Sequence, residues 1–304
     1  MTGARPRAAV LLLACLAAAA AAGACRRQDA VASAGPRGER DAAPAAGAGG
    51  DASTDRGDAR GVEITHLANE GFLLSAGGTK VLVDALFRDG LPEYARVAGA
   101  GREALETARG AFAGVDAVLI THVHRDHFHP LAVARHLESA GDAVALGPRQ
   151  AADSLERHAP QWPRIADRFV AVTPGPGERV ERRVDGVEVL GLGLHHPPSR
   201  NQPVQHSGWL VRIGGRTILH LGDAGLDEAE FAPLRLEDDR IDLALVPFWL
   251  LDDEGRAFLD RHVRPGRVVA MHVPPGDVSP TRERLAARGR GAVVLAPGES
   301  LRIR

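Results

Sequence analysis

The chain has 304 residues, 44% of them hydrophobic, and its 37 basic and 39 acidic side chains give a formal net charge of −2. Because the charge is nearly balanced and no basic block falls in the part predicted to fold, we expect no nucleic-acid partner. The two cysteines, Cys15 and Cys25, lie near the amino terminus, so the rest of the chain has no disulfide, thiolate metal ligand or cysteine nucleophile.

Residues 1–25 have the composition of an export signal. Arg5 and Arg7 supply positive charge, an alanine- and leucine-rich segment covers 8–24, and small residues precede Cys25. The sequence A-G-A-C resembles a lipoprotein signal site. We therefore predict a signal peptide of the lipoprotein type and an exported protein, periplasmic or at the cell surface, anchored to a membrane through a lipid on Cys25. An ordinary secretory signal with an incidental cysteine is the alternative.

Residues 26–61 are rich in alanine, glycine, aspartate and arginine and contain almost no large apolar side chain. Such a segment cannot bury a core, so we predict a disordered low-complexity linker. Residues 62–304 are numerous enough for one domain with a large core. We expect this domain to meet the membrane only through the N-terminal anchor.

Short apolar runs recur along residues 62–304, as is typical of buried strands. They predict strands at 62–66, 71–75, 81–84, 117–121, 143–146, 169–172, 187–194, 209–213, 217–221, 243–246, 268–272 and 293–295. Glycine pairs at 77–78 and 214–215 predict hairpin turns. Helices are predicted at 130–139, 148–158, 253–262 and 281–288. Each half begins with hairpins and then alternates strand and helix. This order fits two sheets packed face to face with helices on the outside.

Metal-binding residue types follow the strand predicted at 117–121. The sequence T-H-V-H-R-D-H-F-H-P places His122, His124, Asp126 and His127 in a short loop, and Pro130 suits the first turn of a helix. Imidazole nitrogen and carboxylate oxygen are ligands that zinc prefers, together with thiolate. This dense spacing after a buried strand predicts a metal site, with a histidine-rich surface loop as the alternative.

The segment H-V-H-R-D-H resembles the His-x-His-x-Asp-His signature of the metallo-β-lactamase fold superfamily. Downstream, L-H-L-G-D ending at Asp223 and V-V-A-M-H ending at His272 resemble its later metal-ligand stations in the same chain order, and residues 69–84 resemble its opening β-hairpin. The resemblance covers residues 62–304. It implies an α/β fold, the four-layer αββα sandwich. The opening hairpin and the late histidine resemble the branch that includes ascorbate-phosphate lactonases and N-acyl-phosphatidylethanolamine phospholipases.

The resemblance implies two divalent metal ions, with zinc as the first expectation. Manganese and iron are the alternatives, because a site without thiolate selects zinc only weakly. One ion would be held by His122, His124 and a mid-chain histidine, and Asp223 would bridge to the second. Asp126 would also be the catalytic residue that orients the nucleophile. The complete implied ligand set is His122, His124, Asp126, His127, His196, Asp223 and His272.

The mid-chain ligand has three candidates, namely His195, His196 and His206. In similar branches the ligand precedes the loop that leads into the next strand, which favours the adjacent pair. Three alternating leucines ending at Leu194 share one strand face, and alternation places His196 on that face and His195 on the other. We select His196 and keep the other two as alternatives.

The resemblance implies an exported two-metal hydrolase that uses a metal-bound hydroxide to cleave an ester, lactone, phosphodiester or related bond of a small molecule. One alternative is a metal-dependent oxidoreductase similar to sulfur dioxygenases. Flavodiiron chemistry is disfavoured, because His124 occupies the position where the flavodiiron pattern has glutamate. Another is a non-catalytic surface binding protein on the same fold.

Other side chains carry weaker expectations. His220 lies within an apolar strand and is expected to be buried and hydrogen-bonded rather than a ligand. His136, His158 and His262 fall on predicted helices and are expected to be solvated. Trp249 is compatible with a pocket wall and, equally, with core packing.

Overall fold

The computed structural model of the protein describes residues 61–197, 203–287 and 292–304. The predicted signal peptide, residues 1–25, and all but the last residue of the predicted linker, residues 26–61, lie outside the described residues. None of the helices in the described ranges has both the length and the apolar composition needed to span a membrane.

Strands in the described chain form two seven-stranded sheets. In chain order they are β1 (Val62–Ala68), β2 (Gly71–Ala76), β3 (Thr79–Val83), β4 (Ala117–Leu119), β5 (Val144–Gly147), β6 (Phe169–Ala171), β7 (Arg179–Val184), β8 (Val187–Leu192), β9 (Gly208–Ile213), β10 (Arg216–His220), β11 (Leu243–Pro247), β12 (Val268–Met271), β13 (Ala292–Val294) and β14 (Ser300–Ile303). Sheet A has the order β14-β1-β2-β3-β4-β5-β6, and sheet B has the order β13-β12-β11-β10-β9-β8-β7. All twelve predicted strands are present, and β7 and β14 are additional.

The α-helices of the described residues fall between the parallel strands of each sheet. They are α1 (Gly99–Glu106), α2 (Pro130–Ala140), α3 (Arg149–His158), α4 (Trp162–Ile165), α5 (Glu228–Leu234), α6 (Asp253–His262) and α7 (Val278–Ala287). The predictions of α2, α3, α6 and α7 are confirmed. Pro130 is the first residue of α2, and the Asp252 side chain caps α6 by accepting from the Gly255 N–H at 2.8 Å.

Alternation along the strands of sheet A separates two apolar layers. Phe72 and Leu74 of β2 pack into a core shared with sheet B, whereas Leu73 between them packs with helices α1 to α4. Helices α5, α6 and α7 pack against sheet B through Phe231 and Leu285 among others. The layers are therefore helix, sheet, sheet, helix, and the predicted α/β four-layer sandwich is confirmed.

The parallel strands of both sheets end at the same edge of the sandwich. Strands β3 to β6 run parallel in sheet A, as do β10 to β13 in sheet B. Two backbone hydrogen bonds join the sheets at this edge, from Ser207 N–H to the Thr121 carbonyl (3.0 Å) and from His272 N–H to the Asn69 carbonyl (3.3 Å). Side chains that follow β4, β8, β10 and β12 consequently converge.

Candidate metal centre

Asp84, the residue after β3, organises the loop that follows β4. Its carboxylate accepts the Thr121 N–H at 2.8 Å and the Thr121 hydroxyl, and it lies 2.9 Å from His127 Nδ1. Because the Asp84 carboxylate accepts a hydrogen bond from Nδ1–H, Nε2 is the nitrogen of His127 that faces Asp223, whose Oδ2 is 3.6 Å away. The end of one parallel strand thus sets the tautomer of a histidine that follows its neighbour.

A first group of donor atoms joins both sheets. His122 Nε2 and His124 Nδ1 are 2.9 Å apart, and Asp223 Oδ2 lies 3.4 Å from His196 Nε2 and 3.8 Å from His122 Nε2. Ligands of a tetrahedral zinc ion, each about 2.1 Å from it, lie about 3.4 Å apart. The four side chains therefore have the spacing of ligands around one ion.

A second group lies on the other side of Asp223. His272 Nε2 is 3.5 Å from Asp126 Oδ2 and 3.7 Å from Asp223 Oδ1. Asp126, His127 and His272 also offer donor atoms within 4.8 Å of one another. Since the imidazoles of both groups approach Asp223, its carboxylate is the point that the groups share.

Unpaired buried atoms show that these residues fit a divalent metal. Among the described residues, His127 Nε2, His196 Nε2 and Asp223 Oδ1 are buried without a hydrogen-bond partner. A buried polar atom without a partner is costly, and a cation would pair all three at once. Neutral imidazole and carboxylate form a suitable donor set for zinc, manganese or iron.

The adjacent histidines after β8 have different surroundings. His196 faces the cluster, whereas His195 Nδ1 and its N–H both bond to Glu230 Oε2, at 2.9 and 2.8 Å, and its side chain is 42% exposed. His196 and not His195 thus lies toward Asp223, as strand alternation predicts, and the assignment of His196 as a metal ligand stays a prediction.

His206, the third candidate, lies behind the first group. Its ring centre is 5.3 Å from that of His122, and its Nδ1 donates to the Leu194 carbonyl at 3.0 Å. Burial lowers the pKa of His206 to about 4, so the ring is neutral at pH 7. Its buried Nε2 has no partner among the described residues, so the ring borders the cluster without reaching Asp223 as His196 does.

Charge within the cluster is divided between neutral and charged forms. Burial, reinforced by His127, holds the pKa of His122 well below its usual range. Burial also lowers the pKa of His127, but the carboxylates of Asp223 and Glu70 outweigh it and raise that pKa well above its usual range. The same attraction outweighs burial at Asp223 and holds its pKa well below its usual range. Asp223 is therefore a carboxylate at neutral pH.

Glu70 and Asp84 were not predicted as site residues. The Glu70 side chain is fully buried, 3.6 Å from His127 Nδ1, and burial together with Asp223 raises its pKa well above the usual range. Asn69, Asp84 and His272 all have left-handed backbones, with φ of 49°, 45° and 61°. Such backbones are uncommon for non-glycine residues, and three of them lie at the edge where the cluster forms.

Two predictions about neighbouring residues are resolved. His220 is buried, accepts the Gly222 N–H at Nδ1 (3.1 Å) and donates from Nε2 to the Glu70 carbonyl (2.9 Å), so the expectation of a buried, hydrogen-bonded histidine is confirmed. Trp249 is 39% exposed and its ring centre is 4.9 Å from that of His272. It therefore forms part of the wall beside the cluster, and so does Tyr94, at 4.2 Å from the same ring.

The family model of the beta-lactamase superfamily domain matches residues 79–288, which include most of both sheets and the whole cluster except Glu70. The chain belongs to this family. The converging histidines and aspartates place it among the superfamily's metallo-β-lactamase fold members, as the sequence predicts. The predicted relation to one branch of that superfamily stays a prediction.

Similar proteins support the same placement. A metal-dependent hydrolase of Pyrococcus furiosus is 27% identical over 253 residues, which is 80% of this chain and all of that protein. A metal-dependent hydrolase of Thermus thermophilus is 27% identical over 263 residues, covering 80% and 99%. Among solved structures, the metallo hydrolase Igni18 of Ignicoccus hospitalis has a TM-score of 0.55 at 18% identity, covering 80% and 99%. The diiron β-hydroxylase CmlA of Streptomyces venezuelae has a TM-score of 0.51 at 17% identity, covering 80% and 54%.

Proposed function

We propose that this protein is a metal-dependent hydrolase of small molecules that works with two divalent ions, zinc in the first place. The observation that carries the proposal is the position of Asp223 between two groups of imidazole and carboxylate donors. His122, His124 and His196 would hold one ion, Asp126, His127 and His272 the other, and Asp223 both. The names of the relatives in Pyrococcus and Thermus support hydrolysis.

Two adjacent divalent ions would supply Lewis acidity and lower the pKa of water toward neutrality. The chain contributes orientation and proton handling. Burial raises the pKa of Asp126, but its interaction with His272 outweighs this and lowers the pKa, so Asp126 is ionised at pH 7. The Asn69 amide donates to the Asp126 carbonyl at 3.3 Å and approaches Oδ2 at 3.5 Å, which fixes the side chain. We assign the Asp126 carboxylate the orientation of the attacking water and the acceptance of its proton.

The substrate class that we propose is an ester, lactone or phosphodiester. Each of these develops negative charge on oxygen during hydrolysis, which a pair of cations stabilises. The exposed face of Trp249 beside His272 offers an apolar surface for the part of the substrate next to the bond that breaks.

Metal analysis and a substrate panel test this proposal together. The purified protein is expected to bind about two equivalents of metal and to hydrolyse at least one ester, lactone, phosphodiester or thioester. Asp223→Asn is expected to lose most of the metal and turnover, while His195→Ala keeps both. Metal-dependent oxygen uptake without hydrolysis would support the oxidoreductase alternative, and a folded protein with no more than a trace of metal would contradict the proposal.

We also propose that the hydrolase is exported and lipid-anchored, on the composition of residues 1–25 and the position of Cys25. Cys25→Ser is expected to move the protein from the membrane fraction to the soluble fraction while its metal content is unchanged. Retention of the variant in membranes, or of the unmodified protein in the cytoplasm, would contradict the anchor.

A further inference from the structure

A cavity of about 550 Å³ lies at the opposite end of the parallel strands from the metal centre. Arg240 and Asp242 of its lining immediately precede β11, and Arg264 and Arg267 precede β12, whereas the metal-centre residues follow the carboxyl ends of strands. Arg302 and Arg304, at the end of β14, complete the basic lining. We call this feature the arginine cavity.

The five guanidinium groups of the arginine cavity lack acidic partners. Within the described ranges, none of them has a carboxylate oxygen within 4 Å, whereas Arg179, Arg212 and Arg216 of sheet B each form an ion pair. Asp242, the one acidic side chain of the lining, accepts from Arg216 at 2.9 Å and from the Thr217 N–H at 2.8 Å. Glu63 is opposite Arg302 in the β1–β14 register without forming an ion pair with it. The lining therefore carries uncompensated positive charge.

Two of these arginines also have unusual backbones. Arg240 and Arg264 both have φ of 51°, in the left-handed region that favours glycine. The two turns lie side by side, since β11 and β12 are paired neighbours in sheet B. Arg264 follows α6, and its N–H donates to the Leu259 carbonyl at 2.9 Å, so its left-handed turn ends that helix at the rim of the cavity.

We propose that the arginine cavity binds a phosphate-bearing anion. Guanidinium groups match phosphate with two parallel hydrogen bonds, and a concave lining of one charge concentrates anions. The volume lies within the range of about 300–1,000 Å³ usual for small-molecule sites. A soluble phosphate monoester and the phosphate of an anionic lipid headgroup share this chemistry. The inference is independent of the reaction at the metal centre.

The test uses the purified metal-loaded chain and two probes, glycerol 3-phosphate and vesicles containing phosphatidylglycerol. The double variant Arg264→Glu/Arg267→Glu removes the charge of the cavity. Arg157→Glu on α3 is the control, because Arg157 is also exposed and has no acidic side chain within 4 Å in the described chain. Calorimetry and vesicle sedimentation measure binding, and circular dichroism confirms folding.

We expect at least one probe to bind, with a dissociation constant at least tenfold higher in the double variant and unchanged in the control. Loss of glycerol 3-phosphate binding identifies a soluble ligand, and loss of vesicle binding alone identifies a lipid headgroup. Equal binding by all three proteins, which includes binding at the metal centre only, overturns the proposal, as does no binding of either probe up to about 10 mM phosphate. Should the double variant not fold, Arg264→Gln/Arg267→Gln is expected to weaken binding at least threefold.

Discussion

At the scale of single residues, His195 and His196 offer a matched pair for testing the ligand assignment. His196→Ala removes an imidazole that faces Asp223 at 3.4 Å, so it is expected to lose about one metal equivalent and nearly all turnover. His195→Ala removes a ring bonded to Glu230 and is expected to keep both. Metal content by mass spectrometry decides the matter, and a His206→Ala variant that loses metal while His196→Ala keeps it would transfer the role to His206.

Asp84 tests a residue that positions a ligand without contacting metal. Asp84→Asn would weaken the acceptor of the His127 Nδ1 proton, so we expect metal affinity to fall about 10–100-fold while the ligands remain in place. Asp116→Asn is the control, because Asp116 accepts a backbone N–H from Lys80 at the other end of β4. Equal metal affinity in Asp84→Asn and the unmodified chain would contradict the positioning role.

The family resemblance implies the seven proposed ligands, and it is visible in the sequence because its motifs are short and follow apolar strands. Glu70 and Asp84 carry no such signal, since a single carboxylate at a strand end is common, and only the packing of β2 and β3 against the loop brings them to His127. The expectation that His136 and His262 are solvated is wrong for the same kind of reason. His136 donates to the Leu105 carbonyl of α1, and His262 bonds to Glu228 at the start of α5.

At the scale of elements, the unpredicted ones lack an apolar pattern. Strand β7 reads R-V-E-R-R-V and, among the strands of the described residues, pairs only with β8 at the edge of sheet B, so its register comes from the neighbour rather than from burial. Helix α1 begins with glycines and falls in the segment 87–114 that would otherwise be taken for a loop. By contrast, the glycine pairs at 77–78 and 214–215 have left-handed backbones and connect hairpins as predicted.

The segment between β8 and His196 depends on one glycine. A Cβ on Gly193 would lie 1.7 Å from the Gly175 carbonyl oxygen. Gly193→Ala must therefore move the backbone around Gly193 away from the hydrogen-bonded segment 175–178. We expect a loss of about 1–3 kcal/mol in the free energy of unfolding and weaker metal binding, because His196 shifts with the backbone. The control is Gly276→Ala, where a Cβ meets no atom within 4 Å. Urea unfolding and metal titration measure the two effects; unchanged values in Gly193→Ala would contradict this account.

At the scale of the whole molecule, the proposed ligands divide between the sheets. Four follow β4 of sheet A, and His196, Asp223 and His272 follow β8, β10 and β12 of sheet B. Metal bound to both sheets stabilises only the folded chain. The Ser207–Thr121 and His272–Asn69 backbone hydrogen bonds also join the sheets, so the metal-free protein is expected to stay folded but to melt earlier.

The size of that shift follows from linkage. Free metal at 100 times its dissociation constant stabilises the folded state by about 2.7 kcal/mol, which corresponds to roughly 5–11 °C in Tm for a domain of this size. A chelator is therefore expected to lower the Tm of the unmodified protein and of His195→Ala by that amount. Asp223→Asn, which loses the carboxylate shared by both groups, should melt at one temperature with or without chelator. Calorimetric scans decide between this account and a metal bound by the four ligands of sheet A alone, because in the latter case Asp223→Asn would retain a chelator-dependent Tm.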